Sequence, residues 1–150
     1  MSMLRKGARA LERRFQVQSL STVTESLSHW FDQPLGRRVL ASEQRSIDDA
    51  LSCLFGFHLV QLSVLPDAQL YNASRICHCT SVHPGVASGA QMEAHFEALP
   101  YGNESIDVCL LHHALDFSQN PHQLLNEVSR VTINHGHVVI VGFDPISLTG

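Results

Sequence analysis

From Leu20 onward the apolar positions of this 150-residue chain change rhythm. Residues 20 to 32 repeat their apolar side chains at helical spacing and end near Trp30-Phe31, and Pro34-Leu35-Gly36 interrupts the pattern. Residues 37 to 55 resume it, with Val39-Leu40, Ile47, Leu51 and Leu54-Phe55 as one apolar stripe and Gly56 as a natural stop. Shorter runs follow. His58 to Leu65, Arg75 to Val82, Met92 to Phe96 and Ile106 to Leu111 each predict a strand, with a short helix over residues 67 to 73. Residues 83 to 90 and the turn-rich Leu99-Pro100-Tyr101-Gly102-Asn103 read as loops.

The clearest helix signals come next. Asn120 suits an N-cap, Pro121 the first helical position and Gln123 the third. Leu124, Leu125, Val128 and Val131 would form the buried face, and Asn134-His135-Gly136 would end the element. Val138 to Val141 is unbroken apolar sequence, which predicts a strand covered on both faces, as in parallel sheets. Strands alternating with helices and loops imply an α/β fold with right-handed crossovers. Such sheets bind ligands at the carboxyl ends of their strands. The expected site therefore involves residues 63–67, 82–85, 97–101, 111–116 and 142–145.

Composition narrows the function classes. A hydrophobic content of 44% without an apolar run near the roughly 20 residues that span a bilayer argues against a transmembrane helix. Leu4, Ala8, Leu11 and Phe15, set among basic side chains, read either as a solvated terminal arm or as a basic amphipathic helix. Eight of the ten Lys and Arg residues precede residue 51, and the remainder holds only Arg75 and Arg130 against eight acids. A nucleic-acid partner for that second segment is not expected, because phosphate tracking needs clustered cations. Cys53 and Cys109 sit in apolar runs, the setting of buried free thiols, which predicts a reducing, cytoplasmic location. Cys77-His78-Cys79 lacks the C-x-x-C spacing of a zinc site, so no metal is expected there.

Residues 97 to 148 run Leu99-Pro100-Tyr101, Ser105-Ile106-Asp107, His113-Ala114-Leu115-Asp116, Asn120-Pro121, Glu127-x-x-Arg130-Val131, His135-Gly136 and an apolar strand before Asp144-Pro145. That order and spacing resembles the class I S-adenosylmethionine-dependent methyltransferases, specifically small bacterial proteins with a methyltransferase type 11 domain. "HWFDQPLGRRVLASE" (29–43) and "LFGFHLVQL" (54–62) are similar to the lead-in of that subfamily. The resemblance implies a Rossmann-like sheet of about five mostly parallel strands over residues 56–150. A helical arm and lead-in would occupy residues 1–55. The family's sheet continues past its fifth strand, so a chain ending at Gly150 is expected to be a truncated product or to have that strand's apolar edge covered, for example by a second copy.

The resemblance also implies where S-adenosylmethionine would bind. The family's glycine-rich turn after the first strand corresponds to Ser63-Val64-Leu65-Pro66, and its ribose-binding acid falls at Ser81-Val82-His83. The acid that receives adenine falls at His95, with Glu97 beside it, followed by Ala98 and Leu99. His112 and His113 lie at the mouth of the site, His113 matching the family's recurrent histidine. It is the candidate general base, or else a cap on the following turn packed against Phe117. Ser63, Leu65, His83, Glu97, Ala98, Leu99, His112 and His113 are thus the candidate cofactor contacts. Two readings stay open. One is a methyltransferase acting on a small molecule. The other is a degenerate, non-catalytic member that serves as a binding or dimerisation module, since glycines and acid are missing from the first two strands.

Overall fold

The computed structural model describes residues 20–85 and 90–143, so the basic stretch 4–15 and Asp144-Pro145 lie outside the described residues. Two helices lead in, α1 (Leu20–Asp32) and α2 (Pro34–Ser52), followed by β1 (His58–Ser63), β2 (His78–His83), β3 (Met92–Glu93) and β4 (Ile106–His112). Helix α3 (Pro121–Val131) and β5 (Thr132–Val141) complete the order. Only Gln33 separates the lead-in helices, because a residue before proline is driven to extended backbone, here φ −71° and ψ 157°. Gly36 permits the sharp fold between them. A Cβ there would stand 2.1 Å from the Trp30 carbonyl oxygen.

All five strands are parallel in the order β3-β2-β1-β4-β5, with Leu59 opposite both Cys79 and Val108. The chain order reverses direction between β1 and β4, the position where sheets of this kind open a crevice at their carboxyl ends. Side-chain alternation sorts the central strands onto two cores. Val60, Leu62, Cys109 and Leu111 pack with Leu124, Val128 and Val131 of α3. Leu59, Val108 and Leu110 pack with Ile47 and Leu51 of α2 and with Leu70 and Ile76. Gln61 lies buried in that second layer because its amide is used at both ends, donating to the Ala68 carbonyl and accepting from Leu70 N–H. Asp107 ties β4 to the start of β1 by accepting the Phe57 and His58 N–H groups.

Several sequence expectations are corrected. Residues 67–73 form turns pinned by Gln61, not a helix. The second and third strands are shorter than expected, and β2 begins only at His78. Helix α3 ends at Val131, and Thr132 already pairs with Ile106, so Asn134-His135-Gly136 is an irregularity within β5 and not a helix stop. Asn120 occupies the N-cap without a side-chain cap bond. Leu125 faces outward, as does Cys53. Strand β5 is not covered on both faces, since Val139 and Val141 pack inward but Val138 and Ile140 are 40% and 52% exposed. Among the described residues, β5 stands at one edge of the sheet.

Candidate functional site

The carboxyl ends of the strands meet the two lead-in helices. Ser63 ends β1 and the chain continues through Val64 and Leu65, which are 0% and 6% exposed and pack against Phe31 of α1. Backbone and side chains therefore occupy the space beside this turn. His83, at the end of β2, is also covered by α1. Its Nε2 lies 3.0 Å from the Thr24 hydroxyl, and its Nδ1 accepts from Gly85 N–H. The Thr24 hydroxyl donates to the Leu20 carbonyl at 2.5 Å, which leaves Nε2–H as the donor toward Thr24. Burial holds His83 below the usual imidazole range.

Next to this packed turn lies a buried polar chain. His112 ends β4, and His113 follows with φ +56°, a left-handed conformation uncommon for a non-glycine residue. Both imidazoles reach one carboxylate, with Nε2 of His112 2.8 Å from Glu43 Oε2 and Nε2 of His113 2.6 Å from Glu43 Oε1. Outward from these, Nδ1 of His112 meets Ser63 Oγ at 2.9 Å and Nδ1 of His113 meets Asp116 Oδ2 at 2.8 Å. Glu43 can only accept, so a neutral His112 donates to it through Nε2 and accepts the Ser63 hydroxyl hydrogen at Nδ1, while Ser63 Oγ accepts from Leu65 N–H. Asp116 also accepts from Phe143 N–H, and the Phe143 ring stacks on His113 with centroids 4.2 Å apart. That ring partner is Phe143, where the sequence suggested Phe117.

These contacts polarise the group. Burial alone would raise Glu43, but hydrogen bonds from His112 and His113 outweigh it and hold the carboxyl at about 2. Burial would likewise lower His113, yet Asp116 and Glu43 on its two nitrogens lift it to about 9. His112 stays below its ordinary value, since burial and the neighbouring His113 charge exceed the help from Glu43. One imidazolium is thus clamped between two carboxylates, with a neutral imidazole alongside.

The third zone is open. A cavity of about 430 Å3 lies between the loop after β3 and the loop before α3, lined in part by His95, Phe96, Glu97, Ala98, Ala114 and Phe117. Glu97 accepts from the Ser118 hydroxyl at 3.1 Å. Leu99 is buried behind it, its N–H donating to Glu127, whose partner Arg130 also holds the Leu99 and Tyr101 carbonyls. The candidate residues are therefore spread over distinct surroundings. Glu97 and Ala98 border the cavity, Ser63, His112 and His113 belong to the polar chain, His83 sits under α1, and Leu65 and Leu99 are core.

S-adenosylmethionine, the cofactor implied by the resemblance, can be tested against this geometry. On the β1–β2 side the residues do not fit it. The turn that should lie open beside the ligand carries buried Val64 and Leu65, and the strand-end position for an acid holds a histidine already bonded to Thr24. Glu43 was not among the candidates read from sequence. The signal was available, since Leu40, Glu43, Ile47 and Leu51 share one helical stripe, and an acid on an apolar face is an informative exception.

A sequence profile described as a methyltransferase domain matches residues 66–140. The chain is 36% identical over 123 residues to YafS, an uncharacterised protein of Escherichia coli K12, matching 81% of this chain and 50% of that protein. The chain thus spans about half the length of this curated relative. Among solved structures, the YcgJ protein of Bacillus subtilis superimposes with a TM-score of 0.58 at 14% identity, covering 71% of this chain and 54% of that one. A methyltransferase of Thermotoga maritima described as S-adenosylmethionine-dependent and a possible histamine N-methyltransferase gives a TM-score of 0.54 at 21% identity, covering 75% and 58%. Both likenesses concern the fold, a Rossmann-like parallel sheet with flanking helices. No helix among the described residues is long and apolar enough to cross a membrane. With the profile match over half its length and this sheet order, the chain belongs to the methyltransferase type 11 family of class I S-adenosylmethionine-dependent methyltransferases.

Proposed function

We propose that this chain serves as a small-molecule binding module on a methyltransferase fold, without transferring methyl groups itself. One observation carries the reading. Val64 and Leu65 fill the turn after β1 and are sealed by Phe31, where a bound cofactor tail would need open backbone. A cavity of about 430 Å3 stays open beside β3 and β4, a size ordinary for small-molecule pockets. Phe96, Phe117, Ala98 and Ala114 offer it an apolar wall, and Glu97 and His95 offer polar contacts that favour a flat, nucleoside-sized molecule carrying hydrogen-bond donors.

Calorimetric titration with adenosine and with S-adenosylhomocysteine tests this. The expected result is weak binding of both with no gain from the homocysteine tail. A Ser63→Gly/Leu65→Gly/His83→Asp variant should gain affinity for S-adenosylhomocysteine alone. Micromolar binding of S-adenosylhomocysteine by the unaltered protein, tenfold or more tighter than adenosine, would overturn the proposal. Family membership favours the second reading, a methyltransferase of a small molecule in which α1 moves aside to admit S-adenosylmethionine. That reading predicts the micromolar result.

A further inference from the structure

The geometry points to a divalent transition-metal site formed by Glu43 of α2 with Nε2 of His112 and Nε2 of His113 at the end of β4. The three side chains each present one donor atom, and these atoms lie within 4.8 Å of one another. Two imidazoles and a carboxylate are a donor set that suits zinc and ferrous ions. At metal–ligand distances of about 2.0–2.2 Å in a tetrahedral site, neighbouring donors stand roughly 3.3–3.6 Å apart. The His112 and His113 nitrogens lie 2.8 and 2.6 Å from their Glu43 oxygens, and all three donor atoms lie within 4.8 Å of one another, so admitting an ion requires these contacts to open by about 0.5–1 Å.

Two further features separate this arrangement from an ordinary buried ion pair. Consecutive residues of a strand point to opposite faces, yet His112 and His113 aim at the same carboxylate. The left-handed backbone of His113, φ +56°, makes that convergence possible, and strain of this kind gathers at ligand clamps. Each imidazole also has its remaining nitrogen held, His113 Nδ1 by the Asp116 carboxylate and His112 Nδ1 by Ser63 Oγ. Metal-ligating histidines are held in this way, with the tautomer fixed by an oxygen behind the ring. Both histidines are fully buried and Glu43 is 13% exposed, which leaves the carboxylate side as the route of entry. Without an ion the same groups close on one another by hydrogen bonds. With one, His113 gives up its Nε2 proton, His112 moves its proton to Nδ1 to face Ser63, and the ion joins α2 to β4.

The proposal is independent of methyl transfer and is tested on the chelator-treated full chain titrated with cobalt(II). One equivalent per chain should bind with d–d absorption and no thiolate-to-cobalt charge transfer, since Cys77 and Cys79 are not ligands. Zinc should displace the cobalt and raise Tm. Asp116→Asn, which loosens the support behind His113, should weaken cobalt binding about 10–100-fold. Glu43→Gln should weaken it further, and His58→Gln/His78→Gln, which removes an exposed histidine pair with rings 5.3 Å apart, should leave it unchanged. If Glu43→Gln does not fold, imidazole nitrogen NMR shifts of His112 and His113 on zinc addition to the unaltered protein decide the matter. Absence of micromolar uptake by the folded unaltered protein would overturn the assignment. So would a thiolate band, or binding that survives Glu43→Gln and disappears with the His58/His78 pair.

Discussion

At the carboxyl end of the sheet, the side above β1 and β2 is packed with Phe31, Val64 and Leu65, while the side beside β3 and β4 keeps a cavity of about 430 Å3. Both are parts of one crevice made by the same strand order. What differs is the element laid over them. Helix α1 brings an aromatic ring and Thr24 onto the first two strands, and borders the cavity with Leu20 at its first residue. A fold fixes where a crevice can form, and local side-chain volume decides how much of it stays open. Substitutions on the two sides should therefore behave oppositely.

The largest contrast is expected between Phe31→Ala and Ala98→Trp. Phe31 is buried against Val64 and Leu65, so its removal leaves a cavity and should cost about 3–4 kcal/mol in urea denaturation. Ala98 is exposed at the cavity mouth, so Ala98→Trp should change stability by less than about 0.5 kcal/mol while blocking adenosine. Equal costs for the two changes would mean that α1 is not seated in the closed half as described.

A smaller effect is expected at the polar chain between the halves. Glu43→Gln removes the charge that faces the His113 imidazolium, and its amide cannot accept from both histidines. In chelator the cost should be about 2 kcal/mol, a typical value for a charged hydrogen bond lost from a largely buried site. A loss under 0.5 kcal/mol, read from the denaturation midpoint at unchanged slope, would show that solvent already satisfies these groups.

Much of this frame was legible in the sequence because it rests on local pattern. The apolar runs at His58–Leu65 and Ile106–Leu111 located the two central strands. The Glu127-x-x-Arg130 spacing was visible in the sequence, although the grip of Arg130 on the Leu99 and Tyr101 carbonyls was not. What escaped depends on neighbours far away in the chain. The run Val138–Val141 looks like a covered strand, but coverage belongs to whatever packs on it, and Val138 and Ile140 are exposed. Residues 67–73 have a helical rhythm that Gln61 overrides by holding their backbone in turns. The polar chain joins Glu43 to His112 across 69 positions, so no window of sequence contains it. The candidate turn at Ser63–Pro66 could be seen to lack glycine, yet the ring that seals it comes from α1.

The smallest effect concerns the polar tether of α1. Thr24→Val should cost about 1 kcal/mol, because His83 Nε2–H loses its acceptor inside the packed half. The same contact gives a pH dependence whose sign is fixed. His83 is held below its ordinary 6.5 by burial, and the charge of Asp67 opposes that lowering without cancelling it. The ring edge of Phe96 packs against it and adds no charge. The neutral ring fits because Nδ1 accepts from Gly85 N–H, and a proton placed there would face that donor. The unfolded chain therefore binds the proton more readily, so this contribution is complete above about pH 6.5 and declines as pH falls toward the lowered folded value. His83→Gln should remove that slope while leaving Phe31 packed. If denaturation midpoints of the two proteins fall in parallel between pH 7 and 5, the tether does not discriminate protonation, and α1 is held by its apolar contacts alone.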